Sequence, residues 1–202
     1  MNLNEYQQAA RETAIYPTDI GLAYTTLGLA GEAGELANKV KKVYRDDAGI
    51  LTTEARWKLA DELGDVLWYV AAVASEIGIK LGNLPNIHHG TPERWIELQM
   101  QGLDNATMLL PYATLQLIQS VGELTETVTT GFEIRDKWLS DPAPDYKPIQ
   151  DHAAYQLASI LWLVTIIVHL IGIVFEDIAY INLNKLQARR ANNAIKGEGD
   201  HR

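Results

Sequence analysis

The sequence predicts an all-α protein, a helical bundle built from two related helix-hairpin repeats. Three observations carry that expectation. Apolar residues recur at three- and four-residue spacing along most of the chain, and no alternating run is long enough for a strand of ordinary length. Clusters of Gly, Pro, Asp and Asn fall between these periodic stretches, where helices would have to stop. The apolar pattern of the first half then returns in the second.

Taken in order, the first helix is expected over about Asn4 to Ala14, since the residue before Pro17 avoids helical backbone. A second runs from about Leu22 to Arg45 and stops in the turn Asp46-Asp47-Ala48-Gly49. A third starts after Thr52-Thr53 and runs to about Leu81, where a break rich in turn residues extends from Gly82 to Gly90. A short helical piece follows from about Pro92. Further helices are expected at about Pro111 to Phe132, Asp151 to Phe175 and Phe175 to Asn192, with Asp141 to Asp145 a loop and Gly197 to Arg202 a tail.

Shifting the first half by 88 positions lays Tyr24, Thr26, Leu27, Leu29, Gly34, Glu35, Leu36 and Val40 on Tyr112, Thr114, Leu115, Leu117, Gly122, Glu123, Leu124 and Val128. A shift of 94 lays Leu67, Trp68, Val70, Ile77, Gly78 and Ile79 on Leu161, Trp162, Val164, Ile171, Gly172 and Ile173. Two such hairpins would pack across a pseudo-twofold axis as a fused pseudo-dimer. Chance likeness between amphipathic helices is the competing explanation. The chain then divides, within a single domain over 1–202, into a first repeat (1–82), a connecting segment (83–110), a degenerate second repeat (111–192) and a tail (193–202).

Composition narrows the function. With 202 residues the chain suits one domain. Its 17 basic against 26 acidic side chains give a net charge of -9, so binding to nucleic acid by counterion release is disfavoured. No cysteine is present, which excludes disulfides, thiolate zinc sites and cysteine nucleophiles. The polar, mixed-charge start does not read as a secretory signal, and a cytoplasmic protein is expected. Leu157 to Phe175 is free of formal charge for nineteen residues, close to a membrane span in length. Its flanks, Asp151 on one side and Glu176-Asp177 on the other, lack nearby Lys or Arg. A buried bundle helix is therefore favoured over a span.

The informative residues are Glu32, Glu35, Glu62 and Asp65. Within each pair the spacing is three, which puts both carboxylates on one helix face. Glu32 and Glu35 share a row with Lys39 and Lys42, beside the apolar row Leu29, Ala33, Leu36, Val40, Val43. Glu62 and Asp65 flank the row Leu59, Leu63, Val66, Val70, Val73. If those rows pack as an antiparallel hairpin, all four carboxylates meet at its edge. Two such charges about 4 Å apart repel by about 4 kcal/mol at an effective dielectric near 20, so a cation is needed. Oxygen-only ligands suit Mg²⁺ or Mn²⁺, and Ala30, Gly31, Ala33 and Gly34 leave room for ion and phosphate. Solvated surface acids are the alternative. In the second half Glu32, Glu62 and Asp65 align with Ser120, Gln156 and Ser159, Lys39 and Lys42 with Thr127 and Thr130, and Glu35 alone keeps its counterpart, Glu123. That is the pattern of one working site and one half kept for packing.

Set in GLAGEAGELANKVKK and KLADELGDVLWYVA, the E-x-x-E and E-x-x-D pairs resemble the MazG-like family of all-α nucleoside triphosphate pyrophosphohydrolases. The likeness extends to Glu176 through Arg189 and the closing GEGDHR, while about 83–155 departs from the small single-copy members. It implies Mg²⁺-dependent hydrolysis of an NTP or dNTP to monophosphate and pyrophosphate, with Glu32, Glu35, Glu62 and Asp65 as metal ligands. Lys39 and Lys42 are candidates to contact phosphate or to pair with the acids. Asn182, Lys185 and Arg189 share one row of the last helix and carry the family's tail pattern; the plain alternative is a basic helix end complementing the dipole.

Other residues are weaker candidates. His88-His89 reads as an exposed loop pair, and Trp68 and Trp162 as core rather than base-stacking platforms. No histidine follows an acid by three residues in a suitable helix, so a ferritin-like di-iron bundle is disfavoured. No strand precedes Gly199, which rules its neighbourhood out as a phosphate loop. Tyr6, Tyr16, Tyr24 and Trp68 are candidates for a base pocket whose preference stays open. Self-association as a dimer or tetramer is expected through apolar helices. The rival class is a non-catalytic nucleotide sensor or helical partner-binding protein with a structural ion.

Overall fold

The computed structural model describes residues 1–84, 90–102, 106–137 and 147–191, and every regular element among them is helical. The α-helices are α1 (Leu3–Glu12), α2 (Gly21–Asp46), α3 (Thr53–Glu76), α4 (Pro92–Met100), α5 (Leu109–Lys137), α6 (Lys147–Leu170) and α7 (Phe175–Ala191). Short 3-10 turns lie at Thr18–Ile20, Leu81–Asn83 and Ala106–Met108. The expectations for His88-His89, for the Asp141 to Asp145 loop and for the 193–202 tail fall outside the described residues.

Local chemistry sets the helix starts. Asn2 and Glu5 form a capping box, each side chain bonding the other's backbone amide at 2.9 Å. Thr52 caps α3 by accepting from the Ala55 amide at 3.1 Å. Thr91 does the same for α4, with Pro92 in its first turn.

Helix α5 runs on to Lys137, past the expected Phe132, and α6 starts at Lys147 rather than Asp151, while two other helix ends fall short of expectation. Helix α3 stops at Glu76, short of Leu81, because Gly78 turns into the left-handed region (φ +74) and the Ile79 amide returns to the Ala74 carbonyl at 2.8 Å. Helix α6 stops at Leu170, short of Phe175, through the same device at Gly172 (φ +69). The nineteen-residue apolar run is therefore broken by a corner rather than continued as one helix.

The hairpin α2–α3 is closed by the two apolar rows. Leu29, Ala33, Leu36, Val40 and Val43 meet Leu59, Leu63, Val66, Val70 and Val73, and none of the ten exceeds 4% exposure. Each fully buried leucine contributes about 2 kcal/mol. A second hairpin, α5–α6, buries Leu117, Val121, Leu124 and Val128 together with Leu157, Ile160, Val164 and Ile167. The hairpins join through α2 on α5 and α3 on α6, giving one continuous core. By length and composition α6 would cross a membrane, but 61% of its apolar window is buried in this core.

The remaining helices frame the first hairpin. Helix α1 packs on α3, fixed by Gln7, which accepts from the Leu81 amide at 2.9 Å and donates to the Ile79 carbonyl at 2.8 Å. Helix α7 also packs on α3. It approaches closely because position 64 is glycine: a Cβ there would lie 3.0 Å from the Asn182 Cβ. These contacts carry Tyr6, Asn182 and Lys185 to the acidic face of α3.

Candidate metal centre and nucleotide site

Glu32 and Glu35 sit one turn apart on α2, and Glu62 projects from the facing stretch of α3. One carboxylate oxygen from each of the three lies within 4.8 Å of the others. Glu62 is buried, Glu32 half-buried and Glu35 exposed, so the cluster opens to solvent on the Glu35 side. Gly31 and Gly34 have no atom within 4 Å of where a side chain would begin, which leaves the mouth clear. The expected four-acid set is therefore assembled in part. Asp65 lies near enough to act strongly on Glu32, but its oxygens are held by α7.

Electrostatics follow from that crowding. Burial, then the charges of Asp65, Glu35 and Glu62, push the Glu32 carboxyl up to about 7. Glu62 is raised chiefly by burial, against the pull of Lys39, whose Nζ stands 3.2 Å from Glu62 Oε1. Asp65 is also raised, because burial outweighs Lys185 beside it, while Lys185 itself is held above its ordinary value by Asp65 and Asp61. Burial and mutual repulsion make Glu32, Glu62 and Asp65 resist ionising, a cost that a divalent ion beside them would relieve. The residues present fit Mg²⁺ or Mn²⁺.

The cationic candidates divide. Lys39 reaches the cluster through Glu62. Lys42 is exposed and lies in the field of Asp46, toward the end of α2. Lys185 bridges Asp61 and Asp65 at 2.7 Å each, and Asn182 donates to Asp65 at 2.8 Å. Arg189, half-buried, adds its charge to the field at Asp65.

Two participants went unrecognised in the sequence. Asp61 shares Lys185, and its signal was present, since it precedes Asp65 by one helical turn. Tyr6 appeared there only as a pocket candidate, yet its hydroxyl donates to Asn182 Oδ1 at 3.2 Å. Nothing local in sequence announces a contact between residues 176 apart.

The other aromatic candidates gather along the hairpin. Tyr16 stacks on Tyr24 with ring centres 5.3 Å apart, Trp68 meets Tyr16 edge-on at 6.3 Å, and Tyr69 meets Trp68 edge-on at 4.8 Å. Trp68 is anchored by donating to Thr13 Oγ1 at 2.9 Å, and Trp162 packs against the core. Tyr69 lies over Gly28, one turn before Glu32. An aromatic wall thus adjoins the acids.

The chain also matches known proteins in sequence. The family model described as the MazG nucleotide pyrophosphohydrolase domain matches residues 22–83, a segment holding all four acids with Lys39 and Lys42. The chain is also similar to the gene 37 protein of Mycobacterium phage L5, at 50% identity over 90 residues that make up 42% of this chain and 79% of that protein. No solved structure gives a significant match.

Proposed function

The chain belongs to the MazG nucleotide pyrophosphohydrolase family, and from that premise we propose that it hydrolyses a nucleoside or deoxynucleoside triphosphate to the monophosphate and pyrophosphate. The carrying observation is the convergence of Glu32, Glu35 and Glu62 oxygens within 4.8 Å, from two helices, beside Asp65.

These carboxylates would hold Mg²⁺ or Mn²⁺. The bound ion would supply a water of lowered pKa and polarise the phosphate oxygens. The chain's own groups supply the rest. Lys39, Lys185 and Arg189 surround the acids and offset the charge of the triphosphate and of the departing pyrophosphate. Asn182 fixes one Asp65 oxygen, so that carboxylate keeps a single orientation. In the phosphoanhydride between the α and β phosphates one P–O bond breaks. The water oxygen bonds to the phosphorus it attacks, and the other product leaves with the bridging oxygen, the released proton passing to that product or to solvent. Tyr24, which is exposed, and half-buried Trp68 are the rings here that a base could stack on. Tyr16 is instead buried against both of them and under Arg11.

The substrate is a free nucleotide rather than a nucleic acid, in keeping with the net charge of -9. We place the protein in the cytoplasm, off the membrane, with α6 serving as a core helix. Exposed Leu27 on α2 and Leu115 on α5 are 74% and 67% accessible, and they suit self-association, which light scattering would measure.

The decisive experiment incubates the protein with each NTP and dNTP in Mg²⁺ or Mn²⁺ and looks for monophosphate and pyrophosphate. Turnover of a subset would give the base preference. No turnover of any nucleotide would leave a sensor or partner-binding protein with a structural ion.

A further inference from the structure

The two halves correspond in more than their apolar rows, and we infer that the chain is a tandem duplication whose second copy has had its metal site converted into a neutral packing contact, leaving one ion-binding site per chain. The inference rests on the metal site proposed above.

The correspondence begins before the hairpins. The caps of α1 and α4, Asn2 and Thr91, are 89 residues apart, and α1 packs on α3 as α4 packs on α6. The 3-10 turn Thr18–Ile20 recurs 88 residues on as Ala106–Met108, and α2 and α5 start at the same offset, Gly21 and Leu109. The hairpins end alike at an offset of 94. Gly78 and Gly172 both take positive φ, +74 and +69. The bond from the Ile79 amide to the Ala74 carbonyl is matched by that from Ile173 to Val168. Two unrelated amphipathic helices would share an apolar period, but nothing in that period dictates matching turns, starts and caps. The second copy accordingly begins with α4, inside the segment 83–110 that the sequence suggested as a connector.

Within this frame each charged element of the first site meets a neutral one. The ion pair of Lys39 with Glu62, at 3.2 Å, becomes a hydrogen bond from Thr127 Oγ1 to Gln156 Oε1 at 2.9 Å, with both residues buried. Glu32 and Asp65 become Ser120 and Ser159. The surviving acid, Glu123, accepts from Gln119 at 2.9 Å, and Gln119 stands where the first copy has Gly31 and an open mouth. Gly28 and Gly64 are likewise replaced by Gln116 and Ala158. Asn182 and Lys185 of α7 turn their polar contacts to Tyr6, Asp61 and Asp65 of the first copy. The second copy keeps the scaffold and has lost charge and space together.

The test is Mn²⁺ binding to the full chain, read by calorimetry and by the electron paramagnetic resonance signal of free ion. Glu35→Gln with Glu62→Gln is expected to remove tight binding. Glu123→Gln with Gln156→Ala is expected to keep the wild-type number of ions per chain. Circular dichroism checks that both variants are folded. Tight binding that survives the first pair and is lost with the second would overturn the inference while leaving the pyrophosphohydrolase reading intact. A wild-type chain that binds no Mn²⁺ would remove the metal site and the inference with it.

Discussion

Asn182 on α7 donates its side-chain amide to Asp65 Oδ1 on α3 at 2.8 Å, while its own oxygen accepts from the Tyr6 hydroxyl. Asn182 is 2% exposed, so neither bond is shared with bulk water. Groups that orient a metal's carboxylates typically change affinity about 10- to 100-fold when removed. Asn182→Leu is expected to weaken Mn²⁺ binding by about that much. It would also cost about 1 to 3 kcal/mol of stability, because the buried Tyr6 hydroxyl loses its acceptor. Tyr6→Phe removes one hydrogen bond but leaves Asn182 on Asp65, so a loss of about 1 kcal/mol with a smaller change in affinity is expected. Equal loss of affinity in both variants would mean that Tyr6, not Asn182 alone, sets the Asp65 geometry.

The halves should respond unequally to conservative changes. Glu35→Gln, Glu62→Gln or Asp65→Asn is expected to abolish most pyrophosphate release, with the fold retained or slightly stabilised in the absence of metal as repulsion falls. Gln156→Ala and Ser159→Ala should keep most activity. Gln156 does accept a buried bond from Thr127, so its loss should still appear as about 1 kcal/mol in a thermal melt.

The hairpin cores and most helix bounds were legible in sequence because helical period and turn residues are local signals. The row from Leu59 to Val73 is buried as its spacing dictates. Where α3 and α6 end was less legible. Gly78 and Gly172 look like helix residues in the pattern, and only their caps reveal left-handed backbone. The acids could be found by spacing, but their partition could not. Whether Asp65 faces an ion or Lys185 depends on how α7 docks, which Gly64 permits and residues more than 100 positions away complete.

The metal-free protein should be more stable in mild acid than in mild base. Glu32 titrates near 7 when folded against an ordinary value of 4.5, and Glu62 and Asp65 are raised in the same direction. Between those values the folded chain holds more protons than the unfolded chain, so stability falls as pH rises through about 7. Melting temperatures in chelator should drop between about pH 5.5 and about pH 8. The drop should shrink in Glu32→Gln. Saturating Mn²⁺ should reverse the slope, since the ion binds the ionised acids. A flat profile in chelator would show that water reaches Glu32 freely.

Gly28 should tolerate no side chain. A Cβ there would stand 2.1 Å from Cε1 of Tyr69, whose ring packs edge-on against Trp68. Gly28→Ala must displace that ring, at a cost of about 1 to 3 kcal/mol for overpacking. Near-UV circular dichroism should change with it. Pairing the change with Tyr69→Ala should restore much of the stability lost to the clash, and a neutral single variant would mean the ring moves at little cost.

Lys185 offers the sharpest separation between binding an ion and binding a nucleotide. Its Nζ bridges Asp61 and Asp65 at 2.7 Å, and the side chain is largely buried, so it neutralises acids that would otherwise repel across α3. In Lys185→Met the packing stem is kept and the charge removed. Asp65 then has less to oppose its burial, so the metal-free protein should lose stability above neutral pH. An added divalent ion should recover more of that loss than it does in wild type. If Lys185 also contacts the triphosphate, KM should rise several-fold with Mn²⁺ affinity little changed. Asp61→Asn removes one of the acids that hold the ammonium and should shift KM far less. A Lys185→Met protein with unchanged KM and weakened Mn²⁺ binding would confine Lys185 to organising Asp65 and would move the phosphate-facing charge to Lys39 and Arg189.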